Sequence, residues 1–292
     1  MKISYVEKIG IFCFVLPALL LFFAFNVYPV LKTLELSFFQ WNNANKDVVF
    51  VGFAHYWHIL FNNPKFWKAV LNAGCISLLA IILQNGFALF LALLINKNIK
   101  CGSVYKAIFL SPFVVSGVVA GLVWKFIFDS NFGILNKSLA IMGFTKFLGF
   151  AWLNQINTTI PSIAFAHMWK GLGCSFIVLL IGLQAIPVEF YEAAKVDGAD
   201  GWQQFKHITF PLITPIYVVV TIFTILNSMK IFDLIYSMTK SSFAEVPITK
   251  IYHSVINGAP SYSAAMVVVF SILLLIIFLI YIFAYKKLSY KK

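Results

Sequence analysis

Two stretches of this sequence place groups capable of chemistry at spacings that matter. His167, Lys170, Gly171 and Cys174 recur at intervals of three and four inside an apolar run, so a helix presents them on one face. Thr221, Thr224, Asn227 and Ser228 form a similar stripe, with Lys230, Ile231 and Asp233 just beyond. Polar groups are costly in hydrocarbon, which drives them toward a bundle interior or a water-filled cavity. Two such stripes on neighbouring helices can line one pocket, and amides and hydroxyls there suit a solute that needs hydrogen bonds more than charge neutralisation. The same residue types also pack helices together through interhelical hydrogen bonds, so both roles stay open. Lys170 can pair with Asp233, snorkel outward, or meet a carboxylate or phosphate on the solute.

The second stretch runs from Pro187 to Pro211 and holds Glu189, Glu192, Asp197 and Asp200, four of the ten acidic residues in the chain. Pro187 suits a first helical position, and Glu189 meets the positive end of the helix dipole, so a short helix is expected from Pro187 to about Val196. Gly198 has the freedom to end it. A second short helix is expected from Trp202 to Ile208, with Trp202, Phe205 and Ile208 on its apolar side and Pro211 opening the element that follows. Ala193 and Ala194 leave little bulk on the first helix, which fits a docking knob for a partner; an ordinary connecting loop has the same outline.

Several chemistries are absent from the sequence. There is no G-x-x-x-x-G-K-[ST] phosphate loop, no H-E-x-x-H helix and no G-x-S-x-G elbow, so no catalytic or metal-binding residue is assigned. Cys13, Cys75, Cys101 and Cys174 lie in or beside apolar segments without metal or disulfide spacing. All 22 basic residues are lysines spread among loops, giving a net charge of +12 without the clustered basic face that nucleic acid demands.

These groups need elements that live in lipid. Of the 292 residues, 61% are hydrophobic and 11% charged, far from the balance of a water-soluble domain. Six stretches are long and apolar enough to span a bilayer: residues 9–30, 71–95, 107–128, 160–183, 213–237 and 262–285. Each must be helical in lipid, so the expected fold is all-α: a polytopic membrane protein of one domain, residues 1–292, with the 187–211 loop between the fourth and fifth spans. The first span follows Lys2 and Lys8 without a cleavage site and reads as retained. Lys97, Lys100, Lys106, Lys195, Lys206, Lys286, Lys287, Lys291 and Lys292 share its cytoplasmic side, against Lys32, Lys46, Lys65, Lys68, Lys137, Lys146, Lys240 and Lys250 outside, which favours both termini inside. Trp41, Tyr56, Trp57 and Trp67 in the first outer segment suit an interfacial belt or a partner contact. Gly117 and Gly121 form a GxxxG packing face with no transport role, and Asn72, Gln84 and Asn85 read as packing groups.

Glu192-Ala193-Ala194, then Asp197-Gly198-Ala199, Phe205, Ile208 and Pro211, resemble the EAA motif of binding-protein-dependent ABC transporter permeases. The resemblance extends over nearly the whole chain, through Tyr28-Pro29, Ser37-Phe38, Gly52, Pro112, Trp124, Gly133, Asn136, Trp152-Leu153, Trp169, Gly173 and Phe232-Asp233, and points to the first permease of maltose or multiple-sugar type systems. It departs near Lys240-Ser-Ser-Phe243, where the family commonly has Gly-Gly-Pro. The resemblance implies a permease subunit in a bacterial cell membrane, for a sugar or oligosaccharide, with a sugar acid, a glycerol phosphate or a secondary transporter as alternatives. It implies that the EAA-like residues couple to a separate ATPase that holds ATP and Mg. A second permease, a second ATPase and an extracytoplasmic solute-binding protein complete such a system. Carried over by alignment, the solute-contacting positions are His167, Lys170, Gly171, Cys174, Thr224, Asn227, Ser228 and Ile231.

Overall fold

The structure is a computed structural model that describes residues 5–41, 48–96 and 102–289, with side chains from residue 10 to residue 287. Cys101, Lys2, Lys46, Lys97, Lys100, Lys291 and Lys292 lie outside the described residues, as does the side chain of Lys8. In chain order the elements are α1 (Gly10–Leu36), a hairpin of β1 (Phe39–Trp41) and β2 (Val48–Phe50), α2 (Ala54–Phe61), α3 (Pro64–Asn96), α4 (Gly102–Val114) and α5 (Gly117–Ile127). There follow α6 (Ile134–Ile141), α7 (Thr159–Gln184), α8 (Glu189–Val196), α9 (Gly201–Met229), α10 (Asp233–Met238), α11 (Pro247–Ile256) and α12 (Pro260–Lys287). Among the described residues five helices, α1, α3, α7, α9 and α12, are long and apolar enough to cross a membrane, and α4 with α5 makes a sixth if the bent pair is one span.

That pair corrects the expected straight span at 107–128. α4 and α5 meet at 95°. Pro112 removes an amide from the last turn of α4, and Ser116 then extends at ψ 150 and caps α5, its Oγ accepting from Val119 N at 3.3 Å. Hydropathy averages across such a break. The fifth span differs as well: the helix ends at Met229, and residues 233–238 form the separate α10.

The chain divides into two compact units. In the first, Met1–Pro64 with Ile251–Leu275, the hairpin pairs Phe39 with Phe50 and Trp41 with Val48. Ser37 Oγ lies 2.5 Å from Tyr56 OH, and Tyr262 OH meets His58 Nδ1 at 2.9 Å and accepts from Asn63 Nδ2 at 2.7 Å. Around these bonds Phe53, Trp57 and Phe61 stay exposed.

The second unit, Lys65–Lys250 with Ile276–Lys292, is organised around α7, which packs on α3, α4 and α9. Its core joins Ala88, Leu91 and Ala92 of α3, Phe176, Leu179 and Leu183 of α7, and Ile213 and Val220 of α9. On the connection between α5 and α7, Asn136 is buried and its amide ties the turn together. Nδ2 donates to Phe150 O at 3.0 Å, and Oδ1 accepts from Trp152 Nε1 at 2.6 Å. Beside it the amides of Asn131 and Phe132 donate to Asp129 Oδ1 and hold that carboxyl below its usual range.

α5 and α10 pack face to face. A methyl group on Gly117 would collide with the Asp233 carboxylate, and one on Gly121 would stand 2.6 Å from Leu234 O. Backbone cannot yield as a side-chain tip does. Gly121→Val is therefore expected to destabilise the protein by about 1–3 kcal/mol, read as a lower unfolding midpoint of the purified chain in detergent; an unchanged midpoint would contradict this packing.

Candidate functional site

A cavity of about 550 Å3 opens within the second unit. α7 contributes His167, Lys170, Gly171 and Cys174, while α9 contributes Thr224 and Asn227; Ile231 follows in the connection to α10. Both polar stripes thus reach one space, the second through Thr224 and Asn227 but not through Thr221. Ser228 belongs to the second stripe but does not line the cavity. It is fully buried, its hydroxyl donates to Thr224 O at 2.7 Å, and its lone pair takes the Nε2 proton of His167 at 3.0 Å. That bond fixes the outward reach of the imidazole.

The charges are arranged unevenly. Lys170 Nζ sits 5.9 Å from the centre of the Phe113 ring, within cation–π range. Among the described residues no carboxylate lies within 4.0 Å of it, so the Lys170–Asp233 pair that the sequence left open is not formed. Asp233 also lines the cavity, yet its carboxylate rests on Gly117 at the start of α5, where helix amides and the dipole favour negative charge. Lys230 adds a second cation at the rim.

By sequence Gln84 and Asn85 both read as packing groups. Asn85 does pack: its Oδ1 accepts from Ser175 Oγ at 3.1 Å and Thr224 Oγ1 at 2.9 Å, joining α3 to α7 and α9. Gln84 both packs and lines the cavity, donating through Nε2 to Ser175 Oγ at 2.8 Å. Both residues close a π turn, Ala80–Asn85, that interrupts α3. The available signal was an amide pair in the middle of an apolar span.

The 187–211 loop is built differently from its expected form. α8 starts at Glu189, and Gly198, at φ +78, ends its turn while Ala199 N donates to Ala194 O at 2.8 Å. The expected short helix at 202–208 is instead the first part of α9. Asp200 caps it reciprocally, Oδ1 accepting from Gln203 N at 2.7 Å and Gln203 Oε1 accepting from Asp200 N at 2.8 Å. α9 then runs on through Pro211, with a π turn at Phe205–Thr209 just before it. Glu192, Ala193, Asp197 and Gly198 are exposed, Ala194, Ala199, Phe205 and Pro211 half-buried. Ile208 turns inward against the core, as does Tyr191, whose OH meets Thr209 Oγ1 at 3.0 Å. Trp202 stacks on Phe205 at 5.5 Å yet remains 68% exposed, and Val196 is 88% exposed, a surplus of bare apolar surface for so short a loop.

Residues 9–290 match the family described as the binding-protein-dependent transport system inner membrane component. The chain is 31% identical to the trehalose/maltose transport system permease protein MalF of Thermococcus litoralis, over 82% of this chain and 79% of that protein. A chain from a bacterial ABC transporter involved in the import of the acidic polysaccharide alginate shares the fold, with a TM-score of 0.82 at 23% identity over 96% of both chains. A second structure, of the alginate ABC transporter in complex with alginate pentasaccharide-bound periplasmic protein, gives 0.78 at 25% identity over 94% of this chain and 93% of that one. The family resemblance is thus borne out, and the chain belongs to the binding-protein-dependent inner membrane components, the multi-pass, non-catalytic permease subunits of ABC importers.

Proposed function

We propose that this permease forms half of the pathway for a sugar or oligosaccharide, and that the solute passes through the cavity shared by α7 and α9. The observation that carries this reading is the convergence of His167, Gly171, Cys174, Thr224 and Asn227 on one space between membrane-length helices. Neutral donors and acceptors in such a place match hydroxyl-rich solutes, and the sugar importers among its relatives support the choice. Residues 1–292 act as one permease domain with six spans and both termini cytoplasmic. A second permease completes the pore, two ATPases holding ATP and Mg drive it, and an extracytoplasmic binding protein delivers the solute.

The loop from Pro187 to Pro211 is the seat of the ATPase in this reading. Glu192, Ala193, Asp197 and Gly198 offer low-bulk polar surface, while Val196 and Trp202 offer apolar surface to bury. Ile208 faces inward and serves to hold the loop on its own core. Gly198 carries a left-handed backbone that a side chain strains by about 1–2 kcal/mol. Gly198→Trp is expected to release the ATPase during purification and stop uptake while the chain still accumulates in the membrane. Parental co-purification together with parental uptake would rule the docking out.

A second reading, a solute bearing a carboxylate or phosphate, is favoured by one observation: Lys170 faces the cavity with no carboxylate within 4.0 Å among the described residues. A hydrogen bond to a charged group contributes about 1.5–3 kcal/mol. On that reading Lys170→Gln is expected to lower uptake of an alginate oligosaccharide by about tenfold or more and to spare maltose. Equal effects on both sugars would remove the acid from consideration.

A further inference from the structure

A second cavity, of about 340 Å3, lies within the second unit, where the end of α5, the connection before α7 and the end of α10 meet. Its size falls in the range of small-ligand sites, about 300–1,000 Å3. α10 is a wall of both cavities: Asp233 and Leu234 border the first, while Tyr236, Ser237 and Met238 border the second. The step from one lining to the other is one helical turn, about 5 Å along α10.

The contacts that build this space are those that hold α10 in place. Gly121 admits α10 to α5, and Thr239 Oγ1 donates to Leu153 O at 3.4 Å, which ties the end of α10 to the connection. Three charged residues line the cavity, Lys125, Asp129 and Lys240. The carboxylate is already provided for. Asp129 Oδ1 accepts from Phe132 N at 2.8 Å and Asn131 N at 2.9 Å, and these bonds, with Lys125 nearby, keep the group ionised. Neither lysine is so provided: both are exposed, and among the described residues neither has a carboxylate within 4.0 Å. Two ammonium groups against one carboxylate leave a surplus of positive charge in a space that also holds the neutral hydrogen-bonding groups of Asn154 and Ser237.

We propose that this cavity is an entry site for a sugar that carries a carboxylate, in which Lys125 and Lys240 receive the acid group while Asp129, Asn154 and Ser237 meet hydroxyls of the sugar. A neutral sugar offers nothing to the surplus charge, and a bare anion leaves the neutral groups unused. The inference rests on the acidic-solute reading and deepens it: with the two cavities one turn apart along α10, a chain of acidic sugar units can place one carboxylate at Lys125 and Lys240 and another at Lys170.

The test uses the assembled importer in nanodiscs, with the binding protein left out so that it takes up no sugar. Exposed lysines are acylated sparingly, and the rate at each is read by mass spectrometry. An alginate trisaccharide at ten times its half-protecting concentration is expected to slow Lys125 and Lys240 by about tenfold and to leave Lys137 and Lys146, also between α5 and α7, unchanged. Maltotriose and inorganic phosphate are expected to protect neither lysine of the cavity. In Lys125→Gln the concentration that half-protects Lys240 is expected to rise about fivefold, because one acid group is shared, and Lys170→Gln is expected to leave both protections as in the parent. Equal protection by maltotriose removes the carboxylate from the assignment, equal protection by phosphate reduces the site to an adventitious ion only, and an unchanged Lys240 in Lys125→Gln separates the two lysines; each overturns the inference, as does protection that disappears in Lys170→Gln. Uptake of the trisaccharide by proteoliposomes holding the full system tells the failures apart. Uptake without protection overturns this site alone, protection without uptake overturns the acidic-solute reading and the site's place on its path, and absence of both overturns both.

Discussion

Asn85 Oδ1 lies within hydrogen-bond distance of hydroxyls on two helices at once, Ser175 on α7 at 3.1 Å and Thr224 on α9 at 2.9 Å. In hydrocarbon no water can take over either role, so the three helices are held at one relative height. Interhelical hydrogen bonds in membranes contribute about 0.6 kcal/mol each on average, too little for these bonds to dominate stability. Their effect is register. Slide α9 by one turn and Thr224 leaves Asn85, Ser228 leaves His167, and the two polar stripes no longer face the same space.

Register at the cavity is joined to the loop by a single element. α9 runs unbroken from Gly201 to Met229, carrying Trp202 at one end and Asn227 near the other. At 1.5 Å per residue these lie about 38 Å apart along the axis. A separate short helix before Pro211 would have put a hinge between them. The π turn at Phe205–Thr209 instead carries the helix past Pro211, while Ile208 and the Tyr191–Thr209 bond bind its lower end to the core. Trp202 and Asn227 thus belong to one continuous helix, with Pro215 inside it.

The parts legible in the sequence were those that lipid makes expensive. His167, Lys170, Thr224 and Asn227 announced themselves because a polar group in an apolar run must find water or a partner, and periodicity then placed them on shared faces. What stayed hidden depended on phase and on division of labour. A π turn adds a residue to one turn of α3 without a spacing signature, so Gln84 and Asn85 looked alike although one closes a helix contact and the other also meets the cavity. Ser228 sits in register with its stripe but is consumed by His167. The 95° break before α5 was written in Pro112 and Ser116, yet the apolar run across them is continuous enough to read as one straight span.

The glycine pair on α5 shows how a packing feature sets the electrostatics of a distant choice. Gly117 and Gly121 allow α10 to approach so closely that the Asp233 carboxylate lies on the first residue of α5. There the positive end of a helix dipole favours negative charge. A larger residue at 117 would displace that carboxylate, and the cavity next to it is where a neutralising partner for Lys170 would be found. Among the described residues Lys170 has no carboxylate within 4.0 Å, and the approach of the two helices at Gly117 keeps the Asp233 carboxylate on α5.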